Sequence, residues 1–161
     1  MSSLNRRFLL ALPVLALAAC GFQPVYGPGG SGTALRNSVQ VAAPEDAFGY
    51  ILVREIETRL GRPSAPKYAL AITIATRQEG LAIDAADNTT RYDLLGVIDF
   101  ALRDLGTGQI VSSGTVENFT GYSATGSTVA TLAAERDAQV RLMTMLADQI
   151  VTRLYAADLA P

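Results

Sequence analysis

Two long strands and one long helix of matching length restrict most strongly what this chain can fold into. Apolar residues alternate with polar or small ones over residues 89–103 and again over 109–122, with LGTG at 105–108 between them. Such alternation is typical of strands with one buried face, and a short glycine-containing connection favours a β-hairpin. Residues 128–156 then show helical spacing, which predicts a helix of about 43 Å beside a hairpin of about 45 Å. The fold must bury the apolar stripes of both.

Three further segments complete the predicted fold. Residues 67–77 (KYALAITIATR) alternate as a strand does, and residues 37–42 (NSVQVA) suit a short strand. Residues 44–60 predict a helix, with Pro44 in the first turn and Gly61 as its stop. We therefore expect an α+β fold of order β-α-β-β-β-α. It is a two-layer sandwich with two helices packed on one face of a mixed, mostly antiparallel four-stranded sheet.

This arrangement leaves the second face of the sheet without a cover. A sheet face in contact with water is usually more polar than the residues predicted there. Two interpretations stay open: a surface that binds a partner, or a weakly apolar face in solvent, since scattered surface aliphatic residues are common. The predicted residues are Ala69, Ala71, Thr73, Leu95, Val97, Ala101, Val111 and Phe119, interrupted by Arg77, Arg91, Asp93, Asp99 and Arg103.

The N-terminus has the three parts of an export signal. Arg6 and Arg7 precede an apolar run over residues 8–19 that ends in small residues. A run of about 12 residues is shorter than the roughly 20 that a membrane-spanning helix needs. Two cleavage sites compete. One is an A-x-A site at residues 16–18, and the other is a lipobox, LAAC at 17–20, in which the cysteine sulfur is alkylated before cleavage.

Cys20 favours the lipobox. It is the only cysteine of the chain, and a lone exposed thiol is a liability in the oxidising compartment of an exported protein. We predict a lipoprotein signal peptide at residues 1–19, with Cys20 as the site of lipid attachment. Residues 20–36, rich in Gly, Pro and Ser at 27–33, are then a lipidated N-terminus and flexible linker, and 37–161 form a single domain.

Composition narrows the chemistry open to the chain. It contains no His, so the commonest general base, the commonest metal ligand and any Ser-His-Asp triad are missing. With 13 basic against 15 acidic residues it lacks the strong positive charge of most nucleic-acid-binding proteins. No metal or cofactor is expected, and acidic side chains at turns are far more often solvated than catalytic. The remaining enzymatic alternative is a glycosidase-like carboxylate pair among Asp84, Asp87, Asp93, Asp99 and Glu117.

The mature N-terminus and the last helix resemble a known family. CGFQPVYG at residues 20–27, the predicted element order and the closing segment AAERDAQVRLMTMLADQIVTRL are similar to the LPS-assembly lipoproteins of the LptE family, also called RlpB. The resemblance covers essentially the whole mature chain and implies a binding protein, not an enzyme. Members sit as a plug inside the large LptD β-barrel, and the pair inserts lipopolysaccharide into the outer leaflet.

The resemblance also implies partners and a location. We expect an LptD-type barrel and lipopolysaccharide as partners, with the lipid anchor on the periplasmic side of the outer membrane. Gly21 agrees with this location, because Asp at that position would resemble an inner-membrane retention signal. Arginine, whose planar fork suits phosphate, supplies every basic residue after position 19 except Lys67. The candidate lipopolysaccharide contacts are Arg77, Arg91 and Arg103. The alternative is that each is an ordinary solvated or ion-paired side chain. The alternative function is an auxiliary lipoprotein of an ABC-type lipid transporter or an activator of peptidoglycan synthesis.

Overall fold

The computed structural model describes residues 25–157 and 159. The sheet has the order β1-β2-β3-β4, with β1 parallel to β2 and the other neighbours antiparallel. This confirms the predicted α+β sandwich with its mixed, mostly antiparallel sheet. The elements are α1 (Ser31–Leu35), β1 (Val39–Val41), α2 (Ala47–Leu60), β2 (Tyr68–Ile83), β3 (Thr89–Asp104), β4 (Ile110–Ser123) and α3 (Thr128–Tyr155).

Helix α3 packs along β3 and β4 and supplies much of the core. Ser127 caps it, because its hydroxyl accepts a hydrogen bond from the Ala130 amide at 3.3 Å. Gly96 of β3 lets the helix approach the sheet closely: a Cβ there would lie 2.9 Å from Leu146 Cδ1 and 3.2 Å from Leu142 Cδ2. The buried side chains of α3 recur at helical spacing: Ala138, Leu142, Met143, Leu146, Ala147, Ile150, Val151 and Leu154.

Helix α2 packs against α3 and β1. It begins later than predicted, at Ala47, because the Asp46 carboxylate accepts a hydrogen bond from the Gly49 amide at 2.7 Å and so acts as the N-cap. Pro44 therefore precedes the helix. Gly61 ends it as predicted, with a φ of 79° that favours glycine. With 14 residues, α2 is about half the length of α3, and among the strands it packs mainly against β1.

Strand β2 extends past its predicted end at residue 77 to Ile83. The letters QEGLAI show no apolar alternation, so the local pattern stops early. Pairing with β3 holds this extension in place, from Tyr68 opposite Asp104 to Ile83 opposite Thr89, with an irregularity around Leu81. Residues 75–83 are exposed, so the β2–β3 hairpin projects beyond the core.

Part of the segment predicted as a linker is folded. Helix α1 buries Leu35 completely, and the Ser31 hydroxyl donates a hydrogen bond to the Tyr155 carbonyl oxygen. The Tyr26 and Tyr155 hydroxyl oxygens lie 3.0 Å apart, with the two rings edge to face. The chain from Val25 onward thus packs against the end of α3. Residues 1–24, with the predicted signal peptide and Cys20, lie outside the described residues.

Candidate functional site

The candidate binding surface is the sheet face opposite the helices, called the open face below. Its side chains form rows across β2, β3 and β4, because paired residues of neighbouring strands point to the same side. The β1 end of the sheet is the end at which β2 begins beside β1 and β3 finishes. From there towards the β2–β3 turn, the rows are Ala71, Ala101 and Ser113; Thr73, Asp99 and Thr115; Ala75, Val97 and Glu117; and Arg77, Leu95 and Phe119.

The prediction that Val111 lies on this face is wrong. The register of β3 and β4 shifts after Leu102, so that Arg103 pairs with Ile110. One extra residue in a strand moves the following side chains to opposite faces. Ile110 therefore lies beside Arg103 with 53% of its surface exposed, while Val111 packs against the core. Assigning faces by alternation in the sequence assumes a strand without a bulge. It therefore misses that Ile110, and not Val111, lies on the open face.

The open face changes in character along its strands. Towards the projecting hairpin, Leu95, Val97 and Phe119 form an apolar patch in which Phe119 is 61% exposed. Midway, the Thr115 hydroxyl donates a hydrogen bond to Asp99 Oδ1 at 2.5 Å. Small side chains near β1 leave a groove of about 330 Å³, lined by Gln40, Val41, Ala42, Ala43, Ala69, Leu70, Ala71, Ala101, Arg103 and Ile110. No local motif marks this groove, since it depends on the shift in β4 and on the shortness of β1.

The three predicted lipid-binding arginines share the open face but do not meet. Arg91 and Arg103 both lie on β3, 12 residues apart, which corresponds to about 40 Å of strand. Arg77 pairs with Leu95 and so lies roughly 13 Å along the sheet from Arg91. The structure thus provides one arginine at the β1 end and two near the hairpin; a single site formed by all three is excluded.

The three arginines have different neighbours. Arg77 Nη2 forms an exposed ion pair with Glu79 Oε1 at 2.8 Å. Arg91 and Asp93 lie over Gly121, where a Cβ would be 3.3 Å from Arg91 Nη2 and 2.9 Å from Asp93 Oδ1. Arg103 Nη1 donates to the Gly108 carbonyl at 2.5 Å and lines the groove near β1. Of the three, Arg103 combines a cation with an adjoining groove of small and apolar side chains.

The turn between β2 and β3 uses Asp84 for its own structure. Asp84 Oδ1 accepts hydrogen bonds from the Ala86 amide at 2.8 Å and the Asn88 amide at 2.9 Å. Hydrogen bonds from the Asn88 and Ala86 amides lower the pKa of the Asp84 carboxyl. Asp84 is therefore an ionised turn residue.

Residues 25–157 contain no group of His, Cys, Asp or Glu side chains that could hold a metal ion. The described helices also include none long and apolar enough to cross a membrane.

Comparison with known proteins gives one family match. A family model described as LptE, lipopolysaccharide-assembly, matches residues 36–154, from the end of α1 to the last turn of α3. No curated protein matches the sequence significantly.

Several solved structures share the fold. A candidate lipoprotein from Caulobacter crescentus CB15 is 25% identical with a TM-score of 0.66, covering 78% of this chain and 93% of its own. Rare lipoprotein B from Shewanella oneidensis is 13% identical with a TM-score of 0.56, covering 74% and 92%. Lipoprotein B from Nitrosomonas europaea is 16% identical with a TM-score of 0.57, covering 84% and 91%. The last two show likeness of fold alone.

Proposed function

Because the chain belongs to the LptE family of lipopolysaccharide-assembly proteins, we propose that it is an outer-membrane lipoprotein that plugs an LptD-type β-barrel. In this role it takes part in transporting lipopolysaccharide and inserting it into the outer leaflet, and it binds its partners without catalysing a reaction. The observation that carries the proposal is the family match over residues 36–154, which includes the complete sheet, α2 and nearly all of α3.

The open face suits contact with a barrel wall. Its central rows carry small side chains, among them Ala71, Ala75 and Ala101, which permit a close approach along the strands. The described residues contain no buried polar or charged side chain, so the core is purely apolar. An apolar core closed by α2 and α3 leaves the open face free, and we propose that the barrel binds there.

Arg103 is the best-placed of the three arginines for a lipid contact. Lipopolysaccharide combines phosphates with acyl chains, so a site for it needs a cation beside an apolar surface. Arg103 and Ile110 supply these two features at the groove near β1. Arg77 is already paired with Glu79, and we propose that it and Arg91 contribute less.

We propose lipidation at Cys20, because the lipobox LAAC ends there. Five peptide units separate Cys20 from Val25, the first described residue, and span at most about 18 Å. Since Tyr26 packs against Tyr155, the anchor would hold this end of the domain near the bilayer. Residues 29, 30, 33 and 34 line one common pocket with residues 104–106, so the turn after β3 lies at the same end.

Affinity purification from detergent-solubilised membranes tests the barrel partner. The tagged mature protein should recover a large outer-membrane barrel, and Cys20→Ala should recover it in similar amount. Ala75→Arg on the open face should reduce recovery, whereas the matched variant Ala133→Arg, on the exposed side of α3, should not. Recovery of inner-membrane transporter subunits would support the alternative transporter function, and recovery of neither would refute the proposal.

Binding of purified lipopolysaccharide tests the arginine assignment. Removing a charge-assisted hydrogen bond typically costs about 1.5–3 kcal/mol, so Arg103→Gln should raise Kd by roughly tenfold or more. Arg62→Gln, which removes an exposed arginine paired with Glu57, is the matched control and should leave Kd unchanged. Equal Kd values for the two variants would place the lipid contact elsewhere.

A further inference from the structure

Most of one sheet edge is unpaired. Strand β1 pairs with β2 only at Tyr68, Ala69 and Leu70, and one more hydrogen bond joins the Ala42 amide to the Leu70 carbonyl at 2.9 Å. From Ile72 to Ile83, no strand of the described chain lies on the outer side of β2. A free edge of this length is a template for another strand.

The hydrogen bonds to β1 define which backbone groups face this edge. The Tyr68 amide donates to the Ser38 carbonyl at 3.0 Å, and the Leu70 carbonyl accepts from Ala42. The N–H and C=O groups of one strand residue point to the same side, and the side alternates from residue to residue. The backbone groups that point outward are therefore those of Ile72, Ile74, Thr76 and Gln78.

The other edge of the sheet, by contrast, is capped by side chains. Arg141 Nη2 donates to the Gly121 carbonyl at 3.1 Å, and Gln149 Nε2 donates to the Glu117 carbonyl at 3.4 Å, both from α3. The Phe119 amide donates to the side-chain oxygen of Asn118 at 2.9 Å. Such caps protect an edge from pairing. Among the hydrogen bonds of the described residues, no side chain caps the backbone of residues 72–78 in this way.

The free edge of β2 is accessible from outside. Past the Ala42–Leu70 hydrogen bond, the connection from β1 to α2 makes no backbone hydrogen bond to β2, and an open groove of about 230 Å³ lies between residues 42–46 and Ile72 to Ile74. The strand's charges before the hairpin turn are Arg77 and Glu79, on either side of Gln78. Leu81 and Ile83, 54% and 65% exposed, lie further along.

We propose that a second copy of this chain covers the free edge, with the two β2 strands antiparallel and centred on Gln78. In that register Arg77 of each copy lies opposite Glu79 of the other, giving two pairs of opposite charge. The outward backbone groups of Gln78 meet their own counterparts, and one continuous eight-stranded sheet results. The edge therefore carries its own complement in both hydrogen bonding and charge.

Neighbouring registers are worse. Centring on Arg77 places the two arginines opposite each other, and centring on Glu79 does the same for the glutamates, and like charges directly opposite are destabilising. Centring on residue 76 brings Ile83 of one copy opposite residue 69 of the other, where β1 already pairs. In the register about Gln78, residues 73 to 83 of the two copies lie opposite one another, and neither copy meets β1.

Charge exchange tests the proposal on the purified mature chain carrying Cys20→Ser, with no barrel present, so the result is independent of the proposed function. Sedimentation velocity should show a dimer. Arg77→Glu alone and Glu79→Arg alone should each weaken self-association by about tenfold, because each homodimer then has like charges at both positions. An equimolar mixture of the two variants should restore dimerisation, because the mixed pair has opposite charges at both.

Recovery on mixing separates the interface from folding, since repulsion within one chain is the same in the mixture as in each variant alone. Thr76→Pro adds a second test: it removes an outward N–H without breaking the ladder to β3 and should abolish the dimer, while Thr76→Val should not. A monomer at about 100 μM, near the weak end of specific association, would overturn the proposal. So would a dimer that neither charge variant weakens, or a mixture that does not recover.

Discussion

The close contact between β3 and α3 at Gly96 makes a quantitative prediction about the core. Leu142 and Leu146 are completely buried, and a Cβ at Gly96 would lie 2.9 Å from Leu146 Cδ1. Gly96→Ala therefore forces a fully packed side chain to move. Overpacking costs about 1–3 kcal/mol, and about 0.5–1 kcal/mol is regained because alanine has less freedom than glycine in the unfolded chain. We expect a net loss of about 1 kcal/mol.

Removing the obstructing methyl groups should change the sign of the alanine effect. Leu146→Ala alone leaves a cavity and should cost about 3 kcal/mol. In the double variant the methyl group introduced at Gly96 no longer meets Leu146, keeps only the 3.2 Å approach to Leu142 Cδ2, and occupies part of that cavity. The double variant should therefore lose only about 2–2.5 kcal/mol, less than Leu146→Ala alone and well below the additive value of about 4 kcal/mol.

Urea unfolding followed by circular dichroism measures the four free energies of unfolding, with an unchanged m value as the check on two-state behaviour. Val97→Ala, one residue along β3 on the open face, is the control. Its side chain is 38% exposed, so it should cost less than about 1 kcal/mol and show no coupling to Leu146→Ala. Additivity of Gly96→Ala and Leu146→Ala within about 0.5 kcal/mol would refute the close approach.

Three further predictions concern the ends of elements and the pH dependence of stability. Asp46→Ala removes the N-cap of α2 and should lower the free energy of unfolding by about 1 kcal/mol in the same urea assay. Gly61→Ala should cost about 2 kcal/mol or more, because φ is positive and a Cβ would overlap the Asn37 side chain; Gly108→Ala, with positive φ but open space, should cost about 1 kcal/mol. Burial and the Tyr26 hydroxyl raise the pKa of Tyr155 to about 12. The unfolded chain therefore loses this proton first, at about pH 10, and stability falls as pH rises from about 10 to about 12. Tyr155→Phe should make that decline shallower, and an unchanged slope would contradict the assignment.

Long periodic segments predicted the fold well. The predicted strand 89–103 and helix 128–156 differ by one residue from β3 and α3, because few structures besides a strand or a helix produce an alternating or helical pattern of that length. The extension of β2 to Ile83 and the exchange of Val111 for Ile110 were not predictable in this way. Both depend on pairing with a neighbouring strand, which leaves no mark in the local sequence.

The same distinction applies to the candidate site. Alternation placed three arginines on one face of the sheet, but it does not give their distances along the strands from the proposed anchor. Under the proposed anchor at Cys20, the β1 end of the domain lies near the bilayer, and Arg103 is at that end. Arg91 is about 40 Å further along β3 and so lies far from the anchored end. We therefore expect lipid to meet Arg103 and its groove before the two arginines near the hairpin, an order that face assignment alone does not provide.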